Sequence, residues 1–257
     1  MTQPTRIDPI REKYFKPIER AESCSQIIFT LSAVLSIAAA LVREEVAPLA
    51  FGLVQLSFMV SVIVLFVLDQ LIRLYLSPRA ADARALDFFS RAYGHALSHE
   101  RTHEYYNSPT ATPPQAIAAQ TFENSLFTKE IANRMWKGLA PIAILYVIAW
   151  FGAVIYRDTP LPLLATCAQV IFGEQIIARF LRLLWLQWRC EQVFSDLASA
   201  FTVGVSNPTF GARVMVIYTK YEAAKALAGI TLSSKIFEKV NPQLSATWDQ
   251  LKRTHGI

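Results

Sequence analysis

Hydrophobic positions along the chain gather into long uncharged runs. Ser25–Val42 carries no charge over 18 residues. As a helix rising about 1.5 Å per residue it is about 27 Å long, close to the roughly 30 Å apolar thickness of a bilayer. Arg43-Glu44-Glu45 follows, and Val46–Leu68 then runs 23 residues without a charge. So short a connection makes the two helices antiparallel neighbours. The design repeats: Leu139–Tyr156 is uncharged for 18 residues and Arg157-Asp158-Thr159-Pro160 makes a tight turn. A fourth apolar stretch starts at Leu161, meets Glu174 after 13 residues and continues through Arg179 and Arg182 to Trp188. Its membrane part is read as Leu161–Ile177, the rest as the same helix emerging into water. The expected fold is all-α: an integral membrane protein with two transmembrane hairpins, four spans in all, and a helical cytoplasmic body.

The polar stretches are patterned as helices too. From Ala83, Leu86, Phe89, Tyr93 and Leu97 recur at helical spacing as one apolar stripe, with Arg84, Arg91 and His95 opposite. That helix is expected to stop near Asn107, before Ser108-Pro109 and Thr112-Pro113-Pro114. A second, Gln115–Lys137, leads into the third span with Phe122, Leu126 and Phe127 on its apolar face. Gln187–Val203 extends the fourth span, and Gly204 and Asn207-Pro208 end it. Helices follow at Ala212–Leu227 and Leu232–Val240, with a last one after Asn241-Pro242 ending near Arg253. Val214–Tyr218 is a β-like run too isolated to make a strand. The expected organisation is a cytoplasmic N-terminal segment (1–24), a first hairpin (25–68), a cytoplasmic helical segment (69–138), a second hairpin (139–188) and a cytoplasmic C-terminal region (189–257).

Composition agrees with lipid as the solvent. Of 257 residues, 53% are hydrophobic and 18% charged, against about 45–50% and about 25% in soluble domains; mean hydropathy is +0.30. The first apolar run meets a charged turn and a second run, with no small-residue cleavage site, so residues 1–24 read as a retained segment. Of the 25 Lys and Arg residues, 23 fall before the first span, between the hairpins or from residue 174 onward. The positive-inside rule makes that side cytoplasmic, with both termini facing the cytosol. Surface receptors, secreted enzymes and adhesins are thereby disfavoured. The same side carries 17 acidic residues, and contact with anionic lipid accounts for the excess of positive charge. Cys24, Cys167 and Cys190 offer neither a disulfide framework nor zinc spacing.

Two features could carry chemistry. His99-Glu100-Arg101-Thr102-His103 matches H-E-x-x-H, in which two histidines one helical turn apart hold zinc and the glutamate activates a bound water. A polar helix face with its histidines in water is the structural alternative. Glu174, about 13 residues into a span, would mark an ion or proton path or else fix helix packing. Asp69 and Arg73 form an i, i+4 pair read as a structural clasp. No phosphate-binding glycine loop, Ser-His-Asp arrangement or nucleic-acid motif is present.

The order of parts resembles the SMODS-associated four-transmembrane effectors of bacterial anti-phage defence, which accompany nucleotide second-messenger synthases. So do Thr102-His103-Glu104-Tyr105-Tyr106-Asn107 and Phe122-Glu123-Asn124-Ser125-Leu126-Phe127-Thr128-Lys129. The resemblance covers roughly residues 20–200. It implies a chain that assembles in the inner membrane and permeabilises it when an infection signal arrives, with a nucleotide-type signal or an associated nucleotidyltransferase as partner. Since four spans hardly enclose a channel, a homo-oligomer is expected, without a cofactor. The polar span residues Gln55, Ser57, Gln169 and Glu174 are the expected pore lining. Tyr105, Tyr106, Asn107, Glu123 and Asn124 are the expected ligand or gating positions; Asn107-Ser108-Pro109 also reads simply as a helix stop. The alternatives are a membrane zinc peptidase using His99, Glu100 and His103, and a non-enzymatic membrane adaptor.

Overall fold

The computed structural model describes residues 8–42, 45–100, 102, 112–155 and 176–257. They form seven α-helices: α1 (Lys16–Leu41), α2 (Pro48–Leu71), α3 (Ser77–Tyr93), α4 (Pro113–Ile155), α5 (Ile177–Val203), α6 (Phe210–Ala228) and α7 (Ser234–His255). π-helical turns precede α1 (Arg11–Phe15) and follow α2 (Ile72–Leu76). No strand occurs among the described residues. Two helical stretches, Arg11–Ala39 and Pro48–Tyr93, are long and apolar enough to cross a membrane. The expected third span is the C-terminal part of α4, and most of the expected fourth lies outside the described residues.

The chain divides into two compact units. One, Lys16–Pro78 with Gly138–Leu181, contains the α1–α2 hairpin. Pro48 opens α2, where its fixed φ suits the first helical turn and its missing N–H costs nothing. From Ser25 onward, the buried positions described in this hairpin are polar: Ser25, Ser32 and Ser36 on α1 and Ser61 on α2; Ile18, in the first turn of α1, is the buried apolar residue ahead of them. The Ser32 hydroxyl donates to Ser61 Oγ at 2.7 Å, and Ser61 donates to the Phe58 carbonyl at 2.7 Å. Outside, Leu49 is 84% exposed, Leu53 66% and Phe66 64%. Small hydroxyl residues let two backbones approach closely and satisfy one another. The Asp69–Arg73 clasp forms, at 3.0 Å.

The other unit comprises Met1–Phe15, Arg79–Lys137 and Arg182–Ile257. Its central element is the first half of α4, where every residue from 116 to 123 is buried. Ala116, Ala118 and Ala119 keep that helix thin enough to be enclosed on all sides. Phe122 is the hub of an aromatic cluster, 4.7 Å from Phe194, 5.9 Å from Phe201 and 5.6 Å from Trp248, ring centroid to centroid. Helix α6, which contains the β-like run 214–218, packs inward through Phe210, Val214, Ile217, Tyr221, Ala224 and Ala228 at helical spacing. The Tyr221 hydroxyl meets Thr128 at 2.9 Å.

Two helix boundaries differ from the expectation. Helix α7 runs unbroken through Pro242, where two helices were expected. Its stripe Val240, Leu244 and Trp248 is buried, and that packing outweighs the hydrogen bond proline removes. Helix α3 ends at Tyr93, well short of Asn107. Gly94 takes φ +70°, a left-handed geometry glycine adopts freely. The chain then turns back along α3: the Leu97 N–H donates to Ser90 Oγ at 2.9 Å and the Thr102 N–H to Asp87 Oδ1 at 3.1 Å. Those side-chain acceptors compete with helix continuation. The apolar stripe is displaced as well. Helix α3 buries Ala80, Ala83, Asp87, Phe88 and Ser90, while Leu86, Tyr93 and Leu97 are exposed.

Candidate functional site

The early end of α3 leaves the start of the zinc motif outside a helix. His99 and Glu100 sit in non-helical backbone, so the one-turn spacing the motif needs is not available to them. His99 is exposed, and His103 lies outside the described residues. Glu100 accepts a hydrogen bond from Lys13 Nζ. That bond, ahead of the opposing effect of burial, holds its carboxyl below the usual glutamate range, and the same pairing raises the Lys13 ammonium. A carboxylate stabilised in this way is a weaker base, the reverse of what water activation asks. Among the described residues no three His, Cys, Asp or Glu side chains converge as a metal site.

What the sequence did not suggest is a polar latch built on α3. Asp87 is fully buried and Thr102 is 2% exposed. Thr102 Oγ1 donates to Asp87 Oδ2 at 2.6 Å and accepts from Arg91 Nη2 at 3.0 Å. Arg91 Nε lies 3.8 Å from the same carboxylate. The Asp87/Arg91 spacing of four residues was the available signal; the partner at Thr102 is brought in only by the reversal at Gly94. A second ionic cluster ties the segment ahead of α1 to this unit. Asp8 pairs with Arg84 at 2.8 Å, Arg11 with Glu238 at 3.4 Å, and Lys13 with Glu100.

The expected ligand or gating positions divide. Glu123 is buried and Asn124 half-buried on α4, beside the Phe122 cluster; Tyr105, Tyr106 and Asn107 lie outside the described residues. Gln120, one turn before Glu123 and Asn124, is 3% exposed, and its carbonyl oxygen meets no hydrogen-bond donor among the described residues. Further along α4, Lys129 Nζ sits 3.6 Å from the Phe194 ring centre and 3.1 Å from Glu191. Cys190 is fully buried, and burial pushes its thiol up to about 12, so it is no nucleophile at neutral pH.

Of the expected pore lining, Gln169 and Glu174 lie outside the described residues, while Gln55 and Ser57 are both exposed on α2. Two residues apart on a helix, they point about 200° from one another. One face of α2 cannot present both to a single path.

No family model, curated protein or solved structure matches the chain.

Proposed function

We propose that this chain is a multi-pass protein of the bacterial inner membrane, with both termini in the cytoplasm. Several copies assemble to permeabilise the bilayer on an intracellular signal received by the cytoplasmic helical unit. The observation that carries the reading is the inverted polarity of the α1–α2 hairpin: serines inside, joined at 2.7 Å, and leucine, valine and phenylalanine outside. In water an exposed apolar surface on this scale is unstable; in lipid it is the solvated state, and the buried hydroxyls become the contacts that hold the helices together.

The other unit supports a controlling role. It is separately compact, with its own aromatic core. The chain passes from it into α1 directly after the ion-paired segment 8–15 and returns from α2 through the π-helical turn 72–76. A change in that unit is thus linked covalently to both ends of the hairpin. The resemblance to four-transmembrane defence effectors supports the same reading, with a nucleotide-type signal as its stimulus.

Expression in a bacterial host with a voltage-sensitive dye, together with carbonate extraction of the membranes, tests the proposal. The chain is expected in the carbonate-resistant pellet, with loss of membrane potential on induction. A chain released by carbonate, or one that leaves the potential intact under every inducing condition, refutes it.

A further inference from the structure

We propose that α2 carries the interface between copies of this chain, through a seam of Gly52, Gln55, Met59, Val62 and Phe66 centred on a Gln55–Gln55 contact. The inference rests on the reading that the hairpin crosses the bilayer.

The five residues are spaced 3, 4, 3 and 4 apart, the heptad period by which one helix meets another along a continuous stripe. All five are exposed. They lie about 100° round the axis from the stripe that α2 turns inward, Phe51, Val54, Phe58, Ser61 and Leu65, whose exposure is intermediate or less. Among the described residues, the hairpin contact therefore leaves this second stripe open. A Cβ added at Gly52 would meet nothing within 4 Å, so a neighbouring helix can come close at that point.

Gln55 identifies the occupant. Its carboxamide has two N–H donors and a carbonyl acceptor. It sits among apolar side chains, seven residues and so about 10 Å into α2. Lipid offers no partner at that depth, and leaving the group unpaired is costly. Apolar residues of another protein would leave it equally unpaired. A second copy inserted with the same topology places its own Gln55 at the same depth, related by rotation about the membrane normal. A carboxamide is its own complement, donor to acceptor and acceptor to donor, so the symmetric neighbour is the partner that satisfies it without any other adjustment. A single polar position in an otherwise apolar seam also fixes the register of the pair.

The test uses the full chain in native membranes, with Cys24, Cys167 and Cys190 changed to Ser. Single cysteines are introduced along α2 and oxidised. Met59→Cys, Val62→Cys and Phe66→Cys are expected to give disulfide-linked dimers, and Leu53→Cys, Leu56→Cys and Val60→Cys few or none. In a second arm, Gln55→Leu is introduced beside Met59→Cys and is expected to weaken association by about 3- to 30-fold, while Gln55→Asn, which keeps the carboxamide, retains most of it. Each sample is also extracted with carbonate. Retention in the pellet with uniform cross-linking, with cross-linking centred on the Leu53 side, or with no loss in Gln55→Leu overturns the interface and leaves the membrane reading standing. Release by carbonate overturns both.

Discussion

The latch on α3 yields a quantitative prediction. In Asp87→Ala the carboxylate that accepts the Thr102 N–H at 3.1 Å and the Thr102 hydroxyl at 2.6 Å is lost. Hydrogen bonds to a charged acceptor contribute about 1.5–3 kcal/mol each, and losses within one network do not add fully. About 3 kcal/mol is therefore the expected loss for the 97–102 segment, with Thr102 left buried and Arg91 deprived of its anion. At about 1.4 kcal/mol per tenfold, that is roughly a hundredfold increase in the open population. Amide hydrogen exchange on the detergent-solubilised full chain measures it. Exchange at Leu97 and Thr102 is expected to accelerate about a hundredfold while amides of α6 and α7 keep their rates. Asp87→Asn, which retains one acceptor oxygen, falls between. Wild-type exchange rates at Thr102 in Asp87→Ala would show that Gly94 and the backbone alone hold the reversal, and the latch argument fails.

Other outcomes follow from the same geometry. The Lys13–Glu100 pairing lowers the glutamate and raises the lysine. Its stabilisation is therefore present above the ordinary glutamate range and below the ordinary lysine range, and is lost as pH falls through the depressed glutamate value or rises through the elevated lysine value. Protease cleavage within residues 8–15 is expected to be slow near neutral pH and faster at about pH 3, and Lys13→Met should flatten that dependence. Trp248→Ala empties a fully buried site against Phe122 and is expected to cost about 3–5 kcal/mol, read as a lower thermal unfolding midpoint in detergent. An alkylating reagent at pH 8 should modify exposed Cys24 and spare Cys190, with Cys190 reacting only after denaturation, as peptide mass spectrometry would report.

Much of the helical plan was legible because period and punctuation agree locally. Gln115–Lys137 was expected to continue into the next apolar run, and α4 does so. Gly204 closes α5, and α6 follows within two residues of its expected start. The candidate site was far less legible. Leu97, His99 and Glu100 continue a helical spacing on paper, yet Gly94 and the acceptors Ser90 and Asp87 draw the chain into a reversal. Periodicity does not register a side chain that competes for backbone N–H groups. Pro242 is the converse case: a local breaker overruled because Val240, Leu244 and Trp248 bury together.

From the sequence alone came the helical class, the two uncharged runs that form most of α1 and α2, and the concentration of basic residues outside the apolar runs. Each is a sum over local composition and spacing, which neighbours in space do not alter. Tertiary structure decided which polar residues are buried. Ser32 and Ser61 are 29 positions apart, and Asp87 meets Thr102 only after the chain turns at Gly94. It also decided that the polar stretch of α4 around Gln120 and Glu123 is a core and not a surface. Burial of a polar group is set by which distant segment supplies or withholds its partner, and a linear pattern carries no record of that pairing.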